Sequence, residues 1–250
     1  MDKIKQYYNK FKQENSKNIG FKILVIIVLL IYLLRNAITG ISNFPIETLL
    51  ISFLALMISM ILHEVAHGLA AYAFGDDTAK KAGRLTLNPI KHIDLKGLLL
   101  PIILLLSGFP FAFGWAKPVP VNFNRLKPNK LGMFVVSIAG ITVNAIIATM
   151  SFFILKSGVI TNDIVGRFFF YLYFINIILA LFNLIPITPL DGGRIVYSVG
   201  NQAVRKFYDK MEKYGIIIVF ILLYLLSSTN IFDNIIDFFM NLLGWFFWTQ

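Results

Sequence analysis

Three residues at close spacing carry the strongest chemical signal in the chain: His63, Glu64 and His67, in the run Ile61-Leu-His-Glu-Val-Ala-His-Gly. Side chains four apart share a helix face, so the two imidazoles can hold one metal ion from adjacent turns. Glu64 then falls beside a metal-bound water rather than among the ligands, which suits a general base. Zinc in such a site brings the pKa of its water toward ~7, so hydroxide is available at neutral pH. The flanking residues are apolar, where unpaired imidazoles and a carboxylate would cost several kcal/mol. That cost argues against a chance match. Two of the chain's 3 histidines lie in this one motif.

A zinc site of this kind needs a third protein ligand and an open position. The next glutamate after Glu64 is Glu212, so a nearby downstream Glu is absent. A longer three-histidine pattern would need Gly at 70 and His at 73, where the chain has Ala70 and Ala73. Asp76, Asp77, His92, Asp94 and Asp191 remain, and Asp191 is the strongest. It lies in Asn183-Leu-Ile-Pro-Ile-Thr-Pro-Leu-Asp-Gly-Gly. Pro186 and Pro189 cannot continue a regular helix, and Gly192-Gly193 admits unusual backbone angles. Broken backbone at membrane depth is tolerated where it lines a cavity or packs within protein, and an aspartate there has a reason if it meets a cation. Asp76 and Asp77 read as the polar end of a helix.

The elements that must position these groups are membrane helices. Of 250 residues, 57% are hydrophobic and 14% charged, against about 45–50% and about 25% in soluble domains. That composition predicts an all-α polytopic membrane protein. With no cysteine, disulfides and thiolate metal sites are excluded. The net charge of +10 fits lysines and arginines that set topology and meet anionic headgroups. No basic run is interleaved with aromatics as nucleic-acid sites require, so no nucleic-acid partner is expected.

Apolar stretches of about 17–25 residues, the length of a span, fall near 22–40, 46–74, 131–155, 167–187 and 215–228, and a shorter one lies at 231–248. About six transmembrane helices are therefore expected. The lysine-rich start runs into the first stretch without a small-residue cleavage site and reads as an uncleaved anchor. Segment 98–115 is interrupted by Pro101, Gly108, Pro110 and Gly114. If it dips into the membrane and returns, and the N-terminus is cytoplasmic, only Arg35, Lys156 and Arg167 among the basic residues lie outside. That fits the positive-inside tendency, and a re-entrant segment is expected there. Residues 83–88 and 117–123 alternate between apolar and polar types, as short half-buried strands or a structured loop would. The expected organisation is 1–45 as basic N-terminus and first anchor, 46–195 as catalytic core, and 196–250 as C-terminal transmembrane or interfacial helices.

Taken together, His63-Glu-Val-Ala-His67, Asn183…Pro186…Pro189-Leu-Asp191-Gly-Gly and Ser137-Ile-Ala-Gly140-Ile-Thr-Val-Asn144 resemble the site-2 protease family of intramembrane zinc metalloproteases. The likeness covers roughly 46–195. It implies a three-helix catalytic core, one zinc ion on His63, His67 and Asp191, and Glu64 as the base. It also implies transmembrane protein substrates within the lipid bilayer. Leu184 stands where many members have Pro, and these 250 residues leave no length for the PDZ or CBS domain many carry. Such a substrate must unwind locally before its carbonyl is attacked, and it could pair with an exposed edge at 84–88 or 119–123. Asn144 and Asn183 are candidates for holding substrate backbone or the developing oxyanion. His92 reads as a loop-ordering hydrogen bonder.

Two other classes share some of these features. Transporters also carry intramembrane acids and histidines, though usually spread over paired repeats, whereas this set converges on one zinc pattern. An inactive relative that binds membrane partners would most simply lack the base, and Glu64 is present.

Overall fold

The computed structural model describes residues 46–92 and 118–229, with 234, 235, 237–239 and 241. Apart from Ile46 they belong to one unit of the chain, Glu47–Asp94 with Ala116–Gln250. The first anchor near 22–40, the segment 98–115 and Asp94 lie outside the described residues.

The described chain is helical: α1 (Ile46–Ala73), α2 (Thr78–Lys81), α3 (Asn129–Lys156), α4 (Asp163–Leu184), α5 (Asp191–Val199), α6 (Gln202–Glu212) and α7 (Gly215–Ser228), with single 3-10 turns at Pro89–Lys91 and Phe123–Arg125. Three of these, α1, α3 and α4, are long and apolar enough to cross a membrane. Their outer faces carry large apolar side chains such as Leu54, Ile146 and Phe153, each more than half exposed. Such a surface is unfavourable in water and natural against lipid tails, so the chain is a membrane protein. α7 has 14 described residues, fewer than the about 17–25 of a full span.

Local signals set the helix ends. α1 stops at Gly75, whose φ of 94° is costly for residues with a Cβ. The Gly75 amide donates to the Tyr72 carbonyl at 3.0 Å and the Asp76 amide to that of Ala71 at 2.9 Å, the pairing that closes a helix on a left-handed residue. α4 begins on Asn162, whose side chain accepts from the Val165 amide at 3.1 Å. Across the bundle Arg167 of α4 reaches Glu47 of α1 at 3.0 Å. α3 and α4 form an antiparallel hairpin, with Ala148, Leu155 and Tyr173 buried between them.

Neither alternating segment forms a strand among the described residues; both take the structured-loop form. In 83–92, Arg84 donates to the Lys91 carbonyl, His92 Nε2 to that of Thr86 at 2.8 Å, and the Ile90 amide to Asn88 Oδ1 at 3.0 Å. Groups that would have made a ladder are consumed locally. Residues 118–122 run as a strap fastened to α1. The Asn122 amide donates to Asp76 Oδ2 at 2.6 Å, while Thr78 caps the same carboxylate through its amide and hydroxyl.

Candidate metal centre

α1 delivers both imidazoles to one point, with His63 Nε2 and His67 Nε2 3.0 Å apart. Asp191 Oδ2 sits 3.3 Å from the first and 3.2 Å from the second. A tetrahedral zinc site with N and O ligands at about 2.0–2.1 Å has edges of about 3.3 Å. The three donor atoms therefore already stand at the spacing a zinc ion needs. Each side chain is nearly buried, at 11% exposed for the histidines and 14% for Asp191. Two nitrogens and one carboxylate oxygen in a partly apolar setting are a donor set that fits zinc.

Backbone geometry makes this convergence possible. His67 Nδ1 donates to the Val136 carbonyl of α3 at 2.6 Å, which fixes the tautomer and aims the Nε2 lone pair at the centre. Gly140, one turn further along α3, lies flat against the two rings. A Cβ there would stand 2.5 Å from His63 Cε1 and 2.5 Å from His67 Nε2. Asp191 opens α5 directly after the Pro186–Pro189 break. The chain turns back tightly because Gly192 and Gly193 pack on the backbone of 184–188, where a Cβ on Gly193 would stand 2.5 Å from the Thr188 nitrogen.

Glu64 lies next to this cluster, its Oε2 accepting from the Val119 amide at 2.7 Å. Pro118 and Pro120 have no N–H, so Val119 supplies the sole donor of the Pro-Val-Pro tip. The Val119 side chain is buried against α1 at Gly68, where a Cβ would stand 2.8 Å from Val119 Cγ1 and 2.5 Å from Leu85 Cδ2.

Of the other candidates, Asn144 lies one turn beyond Gly140, fully buried, with both amide atoms unpartnered among the described residues. Asn183, in the last turn of α4, donates to the Leu179 carbonyl at 3.0 Å. Asp76 holds the strap, Asp77 pairs with Lys81 at 2.7 Å and Arg125 at 2.5 Å, and His92 orders its own loop. None of these three joins the cluster, which among the described residues consists of His63, His67 and Asp191. Sequence reasoning did not find the Val136 carbonyl or the Val119 amide, because backbone groups leave no residue-type signature. The proline pair around Val119 was the one available clue.

The profile of Peptidase family M50 matches residues 156–226, which include Asp191. YwhC of Bacillus subtilis (strain 168), named as a zinc metalloprotease, is 40% identical over 187 residues, spanning 72% of this chain and 82% of that one. The chain belongs to peptidase family M50, the site-2 protease family. Rip2 of Mycolicibacterium smegmatis, also named as a zinc metalloprotease, is 26% identical over 196 residues, covering 75% of this chain and 72% of its own length. No solved structure gives a significant match. Membership of M50 makes the chain a zinc metalloprotease, and the His63–His67–Asp191 cluster is where the described residues fit that metal.

Proposed function

We propose that this M50 protease hydrolyses peptide bonds of transmembrane proteins near the cytoplasmic side of the membrane. His63, His67 and Asp191 hold the zinc and Glu64 serves as general base. The observation that carries the reading is the place of the cluster: His63 and His67 lie within an apolar helix long enough to span a bilayer, and Asp191 reaches them from just beyond another. Bound there, zinc supplies a Lewis acid that polarises the substrate carbonyl and acidifies water. The chain's own residues do the rest. Glu64 takes the proton of the attacking water and passes it to the leaving amide nitrogen. Its Oε2, tied to the Val119 amide, leaves Oε1 for that exchange.

Within this reading the chain is a multi-pass cell-membrane protein of about six spans with a cytoplasmic N-terminus and a re-entrant segment at 98–115. Its partners are transmembrane substrate proteins and the bilayer, with no nucleic acid. An unwound substrate lies along the 119–123 strap or the 84–88 loop, the two segments that meet over Gly68 beside His67. Asn183, eight positions before Asp191 in sequence, is the amide side chain for substrate backbone or oxyanion.

Incubation of purified protein in lipid vesicles with a single-span protein tests this, with the scissile bond located by mass spectrometry. The reading expects cleavage within the apolar segment near its cytoplasmic end. Cleavage confined to soluble loops would overturn it.

A further inference from the structure

Metal-bound histidines nearly always donate their second ring nitrogen to an outer acceptor, which fixes tautomer and ring orientation. His67 does so through the Val136 carbonyl. His63 Nδ1 is buried and has no such acceptor among the described residues. It faces α3 at Gly140, where a Cβ would lie 2.7 Å from it.

Register shows what comes next. Passing from His67 to His63 along α1 matches passing from Val136 to Gly140 along α3, so the two helices run antiparallel. One further turn, about 5.4 Å, brings Ser59 of α1 level with Asn144 of α3. Asn176 of α4 arrives at the same level, its Nδ2 donating to Ser59 Oγ at 2.7 Å and to the Leu172 carbonyl at 2.7 Å. Ser59 Oγ donates in turn to the Ala55 carbonyl at 2.7 Å. Ser59, Asn144 and Asn176 are all completely buried.

The unpartnered atoms of this layer are complementary. His63 Nδ1 and Asn144 Nδ2 are donors in need of acceptors; Asn144 Oδ1 and Asn176 Oδ1 are acceptors in need of donors. Buried orphans of this kind are costly, and these four cancel pairwise. We infer that Asn144 is the positioning residue of His63: neither pair is in direct hydrogen-bond contact, and buried water carries the His63 Nδ1–H to Asn144 Oδ1 and links Asn144 Nδ2 to Asn176 Oδ1. Ser59 anchors the far end, so three helices share one polar chain that orients a zinc ligand. The inference rests on the metal-centre reading and gives the Asn144 amide work other than holding substrate.

Zinc affinity of the purified protein, measured by competition with a chromophoric chelator, tests it. Asn144→Leu removes the acceptor and weakens zinc binding by about 10- to 100-fold, the range for loss of such outer partners. Asn144→Asp keeps an acceptor oxygen and retains zinc within a few-fold of wild type. Asn176→Leu, which leaves Asn144 unanchored, falls between the two. Wild-type affinity in Asn144→Leu, or loss of zinc in Asn144→Asp with the fold intact, overturns the inference. Where the leucine variant does not fold, the aspartate variant and Asn176→Leu decide by the same criteria. An Asn144 that served the oxyanion as an amide donor would show the opposite pattern, with zinc unchanged and kcat lost in both Asn144 variants. A wild-type protein that takes up no zinc overturns the metal-centre reading itself.

Discussion

The Val119 amide donates to Glu64 Oε2 at 2.7 Å, joining residues 55 apart in sequence. The bond places the Pro-Val-Pro tip directly over the proposed base, and Gly68 makes room for it. Gly68→Ala would drive a methyl to 2.8 Å from Val119 Cγ1 and 2.5 Å from Leu85 Cδ2. Displacing a positioned group by ~1 Å can cost ~100-fold in rate. The variant should lose about 10- to 100-fold in kcat while its zinc content, read by atomic absorption, stays at wild type.

Gly140→Ala should behave differently. Its methyl would meet both imidazoles, so the ligands themselves must move. Zinc affinity should fall by more than about tenfold, since misplaced ligands lose the tetrahedral spacing. Equilibrium dialysis beside Gly68→Ala separates the two effects.

Asp191→Asn keeps an oxygen in place but replaces an anionic ligand of the zinc dication with a neutral, weaker one. Zinc affinity should drop at least about tenfold and cleavage should follow it, with partial recovery at high zinc. Unchanged affinity would remove Asp191 from the ligand set.

The strap has its own anchor in Asp76, which is fully buried and accepts from the Asn122 amide at 2.6 Å. Asp76→Ala removes the partner of the Asn122 amide and of the Thr78 amide and hydroxyl, all part-buried, at about 0.5–1.5 kcal/mol for each hydrogen bond lost. A lower denaturant midpoint in detergent and faster proteolytic nicking within 118–122 are the expected signs.

What could be read from sequence followed the physics of each feature. The His63-to-His67 spacing is a local helical property, so it was legible at once. Asp191 was legible despite its distance along the chain, because Pro186, Pro189 and the paired glycines mark broken backbone that an apolar span carries only for a reason. The apolar lengths of α1, α3 and α4 predicted spans, and all three are helices of that length. The loops were less readable. The alternation at 83–88 is a strand pattern, yet Arg84, Asn88 and His92 bond to the local backbone and no ladder forms among the described residues. The closest supports of the centre are a carbonyl at Val136, an amide at Val119 and a missing side chain at Gly140. Pattern reading gives such groups no chemical weight, since their effect depends on which helix faces which.

The central claim is that zinc on His63, His67 and Asp191 works with Glu64 to cut membrane substrates. Glu64→Gln tests it most directly, because the amide keeps the size of the side chain and loses the base. Cleavage of a single-span protein in vesicles should fall by at least about 100-fold, in line with loss of a general base, while zinc content stays at one ion per chain. A Glu64→Gln protein that holds its zinc and cleaves at the wild-type rate would contradict the account.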